Sequence, residues 1–574
     1  MRVLPIINFF VILLQVNLTF QIDDNVPIVK TPLGLISGIY ERSYKQKTFS
    51  SFYGIPFAQP PIGDLRFEEP VEIKPWPGTW TANQTGIACI QISHAPIPEG
   101  GPLLGDEDCL YLNVFVPSKY PDQINNLLDV VVHFHGGAFM FGTGGYYAGP
   151  NFLMDKPVIL VTLNYRLGYL GFMSTEDDIV PGNMGMKDQV MALKWIKNNI
   201  KSFGGNPNSV TITGLSAGGA SVHYHYLSKL SKGLFQKGIS ASGCALAPWT
   251  FQENPLEKVR FLANKIGCET TNTKLMVDCL KTRPAKQIVA VTKLLRPWLY
   301  NPFSPLGLVV EKSGKNKFLD QHPYVLLSNG KIHDLPWLTS LTSEEGLYPG
   351  ADYVLKDHYL EDLENKWNEF APFVLDYFYS IPTERLDQVS QIIKKEYLGD
   401  KPISKDTYKE LIDMMSDRLF SVYTEKAAKI QAKVSKSPVF MYYFSFMGDT
   451  LESLTIHITG KDQSHGTAHG DDMMYLFSIP NKTQKLTKLD ENMQEILLNI
   501  WMSFIKTGNP KVENVKWPAI SKKDDDSLIQ LHIKSPKNII LEDVKEINRH
   551  KSMWDNLGFE ENEYFLSKPK KNEL

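Results

Sequence analysis

Two stretches of the chain, DVVVHF from Asp129 to Phe134 and VILVTL from Val158 to Leu163, are apolar on consecutive residues rather than on alternate ones. A strand apolar on both faces must be covered on both faces. The usual solution is a parallel sheet flanked by crossover helices. Downstream, MKDQVMALKWIKNNI sets Val190, Leu193, Ile196 and Ile200 at helical spacing, SFGGNPNS reads as a loop, and SVTITG reads as another strand. This alternation predicts an α/β chain built on a large, mostly parallel central sheet with helices on both faces. LPWLTSL and PVFMYYFSF read as later strands, and DENMQEILLNIWMSFIKTGNP as a long helix that starts near Asp490 and stops at Gly508 and Pro510. The region from about residue 250 to 440 is mostly amphipathic helical sequence. It fits helices packed on a sheet face and an insertion walling a cleft equally well.

The strand SVTITG runs into LSAGGAS, which places Ser216 between glycines at 214 and 218. A G-x-S-x-G pattern after a strand is the signature of a sharp strand-to-helix turn that raises a serine hydroxyl into a cleft. An alcohol is a weak nucleophile at its own pKa, so Ser216 needs a base, and the base needs an acid to fix its tautomer. In the chain order of elbow-type hydrolases both follow the serine, which sets aside His94, His133 and His135. His223 and His225 lie on the helix after the elbow and are expected to project away as packing or surface residues. His469, in the small-residue loop GTAHGDDMMYLF, is the expected base, with His465 its competitor. Glu344 and Glu345 follow a strand end in TSLTSEEGLY and are the candidate acids, although a solvated acidic turn has the same local sequence. VVHFHGGAF ends a buried strand in glycines, so backbone N–H groups there can approach a developing oxyanion.

The remaining features concern the compartment. MRVLPIINFFVILLQVNLTF has a basic residue, Arg2, before a short interrupted apolar run, and reads as a signal peptide over residues 1–20 with cleavage near Gln21. Residues 21–570 then form a single domain, since no linker, charge block or repeat divides them. In an oxidising compartment the five cysteines favour short-loop pairs, Cys89 with Cys109 and Cys268 with Cys279, leaving Cys244 as a buried thiol. Asn83 and Asn481 head glycosylation sequons, and a third at Asn17 leaves with the signal. A net charge of −3 with 21% charged residues gives no basic footprint for nucleic acid, and no other stretch reaches membrane-spanning length.

Six motifs in order resemble the type-B carboxylesterases, the cholinesterase-like α/β-hydrolases. They are EDCLYLNVFVP, HGGAF, NYRLGYLGF, GNMGMKDQ, FGGNPNSVTITGLSAGGAS and AHGDDMMYLF, and the likeness runs from about Val26 to Phe565. The chain resembles insect esterases near the E4-like and juvenile hormone esterase-like branches. The resemblance implies the α/β-hydrolase fold, Ser216 as nucleophile, His469 as base, and Glu345 as acid because the family acid directly precedes a glycine. It implies an oxyanion hole from the N–H groups of Gly137, Ala138 and Ala217, an acyl-pocket tryptophan at Trp249, and a structural ion pair between Arg66 and Glu107. The two short-loop disulfides match those of the family.

The implied reaction is hydrolysis of a small-molecule carboxylic ester through an acyl-enzyme, without metal or cofactor. A juvenile hormone esterase is the alternative within the class. The neuroligin-like adhesion branch is a non-catalytic alternative, but it loses triad members and carries a transmembrane stalk, whereas all three members are present here and the tail has no span. Leu215 stands before the nucleophile where cholinesterases have glutamate, and the stretch from Cys89 to Cys109 has no tryptophan to hold a quaternary ammonium, so neutral esters are expected. The chain closes on Lys571, Asn572, Glu573 and Leu574, a tetrapeptide similar to luminal retention signals, so retention in the endoplasmic reticulum is expected alongside secretion.

Overall fold

Both apolar runs become strands buried on each face. Along Leu128–Phe134, side chains of Val130, Val132 and Phe134 enter one core and Val131 the other. Along Val158–Leu163, Ile159, Val161 and Leu163 share the first core while Val158 and Leu160 join the second. Period-two alternation thus persists, with apolar residues on both sides. These facts come from a computed structural model describing residues 26–93, 100–118, 126–145, 148–449, 453–460, 465–479, 485–523, 527–547, 549–561 and 566. The signal segment 1–20, Asn481 and residues 571–574 lie outside the described residues.

Among the described residues the central sheet has eleven strands. From one edge they run Asn538–Asp543, Ile529–Ser535, Val439–Phe444, Trp337–Thr342, Lys237–Ala241, Gly205–Leu215, Leu128–Phe134, Val158–Leu163, Tyr111–Val116, Thr48–Pro56 and Ile39–Arg42. Pairings from Ile529–Ser535 through Val158–Leu163 are all parallel, and those at both edges are antiparallel. Two small sheets, one of three strands and one of two, lie apart from it.

The strand expected from Ser209 begins earlier, at Gly205, with a register break before Val210. A Cβ at residue 205 would lie 2.7 Å from Ile200 and 2.9 Å from Val130, so glycine lets this backbone lie against the core, where an ordinary loop would lift away. The helices fall where the periodicity placed them, at Met184–Asn199 and Lys488–Thr507. The second starts with a capping box between Thr487 and Asp490 and ends at Gly508 with a φ of 75°. Its Leu497, Trp501 and Phe504 cover one sheet face, while the helices of the 250–440 region pack in the larger core on the other.

The motif glycines and charges hold this frame. Arg166 forms a two-pronged ion pair with the fully buried Asp188, at 2.8 and 2.7 Å, linking NYRLGYLGF to GNMGMKDQ. Arg66 grips Glu107 at 2.6 and 2.5 Å and also donates to the carbonyls of Leu280, Lys281 and Arg283. That one guanidinium ties the Cys89–Cys109 loop to the helix carrying Cys279, and both expected disulfides are present. Cys244 is buried and free, and burial pushes its thiol up to about 11, leaving it protonated.

Candidate active site

In an open parallel sheet the working groups gather beyond the carboxyl ends of the strands. Gly214 pairs with Phe134, Leu215 with Ala241, and Ala241 with Ser340, so neighbouring strands end level and their outgoing loops meet.

Ser216 follows Leu215 directly and heads the helix Ala217–Leu227, with φ 61° and ψ −123°. A positive φ at a non-glycine residue is strained. Here a hydrogen bond from Ser216 N to the Ala241 carbonyl at 2.8 Å holds it. A Cβ at 218 would collide with the Phe134 carbonyl, and one at 214 with the Gly218 backbone. Strand and helix therefore cross at these two glycines, as the motif implied. The residue is 4% exposed.

The glycine loop lies directly against the elbow. A Cβ on Gly136 would come within 3.2 Å of Ser216 Cβ, and one on Gly137 would strike the Phe141 carbonyl. Gly137 and Ala138 have φ values of 107° and 55°, and Ser304 Oγ fixes the next peptide by donating to the Ala138 carbonyl at 2.9 Å. This twisted backbone, together with the start of the Ala217 helix, is suited to presenting N–H groups to an oxyanion.

Glu345 and His469 meet despite lying 124 residues apart, with Glu345 Oε2 2.5 Å from His469 Nδ1. The carboxylate is fully buried, and its other oxygen accepts from Ser242 Oγ at 2.6 Å and Thr342 N at 2.8 Å. A carboxylate at Nδ1 places the imidazole proton there and leaves Nε2 with its lone pair. Nε2 is buried and has no hydrogen-bond partner among the described residues, so Ser216 is not bonded to it in this arrangement. Such bonds commonly form only with substrate bound. Glu344 turns elsewhere and accepts from Thr467 N at 2.8 Å, pinning the histidine loop.

His223 bonds Gln431 and Ala245 N, and His225 bonds Ser231 and Gln189; burial lowers them to about 4 and about 3. Both are packing residues. His465 is partly buried beside Tyr408.

Trp249 is buried and donates Nε1 to the Leu419 carbonyl at 2.7 Å. Its ring neighbours are Phe139, Phe303 and Phe420, and Phe420 lies 4.6 Å from the His469 ring. Leu215 is partly buried beside the serine and packs against both cores. The 250–440 insertion thus walls the site. Sequence reasoning missed Ser242, Phe420, Tyr348 stacked on His469 at 5.3 Å, and the buried Asp472. A clue to Ser242 was its place between a strand end and Gly243; for Phe420 no local signal exists.

A hydroxyl raised on such an elbow, in a chain that also joins an imidazole to a buried acid, has the parts for attack on a carbonyl carbon, which defines the α/β-hydrolase class. Residues 25–549 match the carboxylesterase family, and the chain belongs to it. Venom carboxylesterase-6 of Apis mellifera is 43% identical over 541 residues, 94% of this chain and 96% of that one. Esterase FE4 of Myzus persicae is 43% identical and covers 88% of each. The juvenile hormone esterase of Tribolium castaneum is 35% identical over 86% of each. The crystal structure of juvenile hormone esterase from Manduca sexta, with OTFP covalently attached, superposes with a TM-score of 0.81 at 27% identity, covering 93% of this chain and 99% of that one. The protein is accordingly a serine hydrolase of carboxylic esters.

Proposed function

We propose that this esterase hydrolyses neutral, apolar esters by acylating Ser216 and then releasing the acid to water. His469 Nε2 takes the Ser216 proton and passes it to the leaving alcohol. Glu345 holds the Nδ1 tautomer and stabilises the imidazolium, and the N–H groups of Gly137, Ala138 and Ala217 receive the oxyanion. Deacylation repeats the cycle with water in place of the serine. The buried 2.5 Å contact between Glu345 and His469 carries this reading. The aromatic ring cluster around Trp249 and the apolar Leu215 support apolar acyl groups.

Ser216→Ala tests it. The folded variant is expected to lose turnover of para-nitrophenyl butyrate and covalent labelling by an organophosphate, and retained labelling would overturn the assignment. Juvenile hormone is the second candidate substrate because two relatives carry that name, at 35% and 27% identity. The esterases that match at 43% favour the broader reading, and comparing kcat/KM for juvenile hormone and para-nitrophenyl butyrate decides between them. The two disulfides, the exposed Asn83 and the signal-like start support a secretory route. Among the described residues no helix is long and apolar enough to cross a membrane.

A further inference from the structure

Between the helices Tyr408–Ser416 and Val422–Val434 the chain makes one π-helical turn, Asp417–Ser421. A π turn carries one residue more than an α turn, and each residue of an α-helix turns the next side chain by about 100°. Relaxation to regular α-helix would therefore re-aim the side chains within the turn and after it. Those within it face the site. The Leu419 carbonyl accepts the Trp249 indole, and Phe420 packs on both Trp249 and His469. Ser416, immediately before the turn, accepts a hydrogen bond at 2.8 Å from Gly346 N, the residue after Glu345. The turn and the residue before it thus touch the acid's neighbour, the base and the acyl wall.

Its opposite side is gripped by the segment Arg549–Glu561. Arg418 is fully buried and donates to the carbonyls of Leu375 and Asp376 and to Glu561 Oε1 at 2.6 Å. Its guanidinium lies 4.2 Å from the centre of the Phe559 ring. Arg549 pairs at 3.5 Å with Asp417, the first residue of the turn, and at 2.6 Å with Glu425, in the helix after it. A buried guanidinium stripped of its counter-charge is strongly disfavoured, so these contacts fix the turn in one arrangement.

We propose that Arg549–Glu561 is a strap that sets acyl-group selectivity from behind the site, with Arg418 as the positioning residue that transmits its hold to Phe420. The inference rests on the serine-esterase reading. It is read as a ratio of two substrates within one protein, so it stands apart from which serine is acylated.

The measurement is kcat/KM for para-nitrophenyl hexanoate divided by that for the acetate, on the full chain. Glu561→Ala is expected to shift the ratio by about fivefold or more, the scale of a misplaced contacting group. Phe559→Leu keeps apolar volume but removes the ring under Arg418, and is also expected to shift the ratio, so it carries the test if Glu561→Ala does not fold. Phe420→Leu should also shift it, and adding either strap substitution to Phe420→Leu should then change little, because the strap acts through that ring. An unchanged ratio in both strap variants would overturn the proposal. So would an equal shift with and without Phe420.

Discussion

Replacing Glu345 by glutamine isolates what the buried acid does. Its Oε1 accepts from Thr342 N and Ser242 Oγ, both donors, so the glutamine carbonyl must take that position and the NH₂ group must replace Oε2. An amide donor 2.5 Å from His469 Nδ1 can be satisfied only if Nδ1 gives up its proton and accepts. The proton moves to Nε2, the nitrogen that in the proposed mechanism receives the Ser216 hydroxyl proton, and the base would be lost without loss of shape. The wrong tautomer in such a triad lowers kcat about 10⁴-fold, or about 5 kcal/mol of transition-state stabilisation. Glu344→Gln keeps a carbonyl for Thr467 N and is expected to lose less than about tenfold. The assay is steady-state hydrolysis of para-nitrophenyl butyrate, with unchanged thermal unfolding as the control. If Glu345→Gln keeps more than a tenth of the activity, or Glu344→Gln is the worse variant, the tautomer argument fails.

Three further outcomes are expected. Burial, the largest influence, and the nearby Glu345 charge push the Asp472 carboxyl up to about 6 from its ordinary 3.8, so the folded state holds this proton more tightly and stability is lost as pH rises from about 4 to 6. Asp472→Asn should therefore raise the free energy of unfolding more at pH 8 than at pH 4, by on the order of 2 kcal/mol, and an equal effect at both pH values would contradict this. With Leu215 beside the nucleophile and no tryptophan between Cys89 and Cys109, a neutral butyrate ester should exceed butyrylcholine in kcat/KM by about tenfold or more, and parity would require another cation site. Deleting Lys571 to Leu574 should increase secretion into the medium, and unchanged secretion would reduce KNEL to a polar tail.

Local sequence was enough for whatever depends on neighbouring residues. Consecutive β-branched residues require a strand covered on both faces, Thr487 and Asp490 cap a helix whatever it packs on, and the glycines at 214 and 218 are needed because the elbow backbone passes too close for a Cβ. The short-loop disulfides were likewise legible, since their partners lie 20 and 11 residues apart.

Contacts between distant segments were a different matter. Glu344 and Glu345 are indistinguishable by composition, and the choice had needed a family resemblance. In the structure the strand Trp337–Thr342 ends so that one carboxylate turns into the core toward Ser242 and His469, while its neighbour turns to the Thr467 peptide. Ser242 finds Glu345 only because the strand before it, Lys237–Ala241, and Trp337–Thr342 pair in parallel register. The π turn that sets Phe420 against His469 is held by side chains from Arg549 to Glu561, more than a hundred residues later. No window of sequence contains both ends of such a contact; the sheet register and the closing of the core around buried charges decide it.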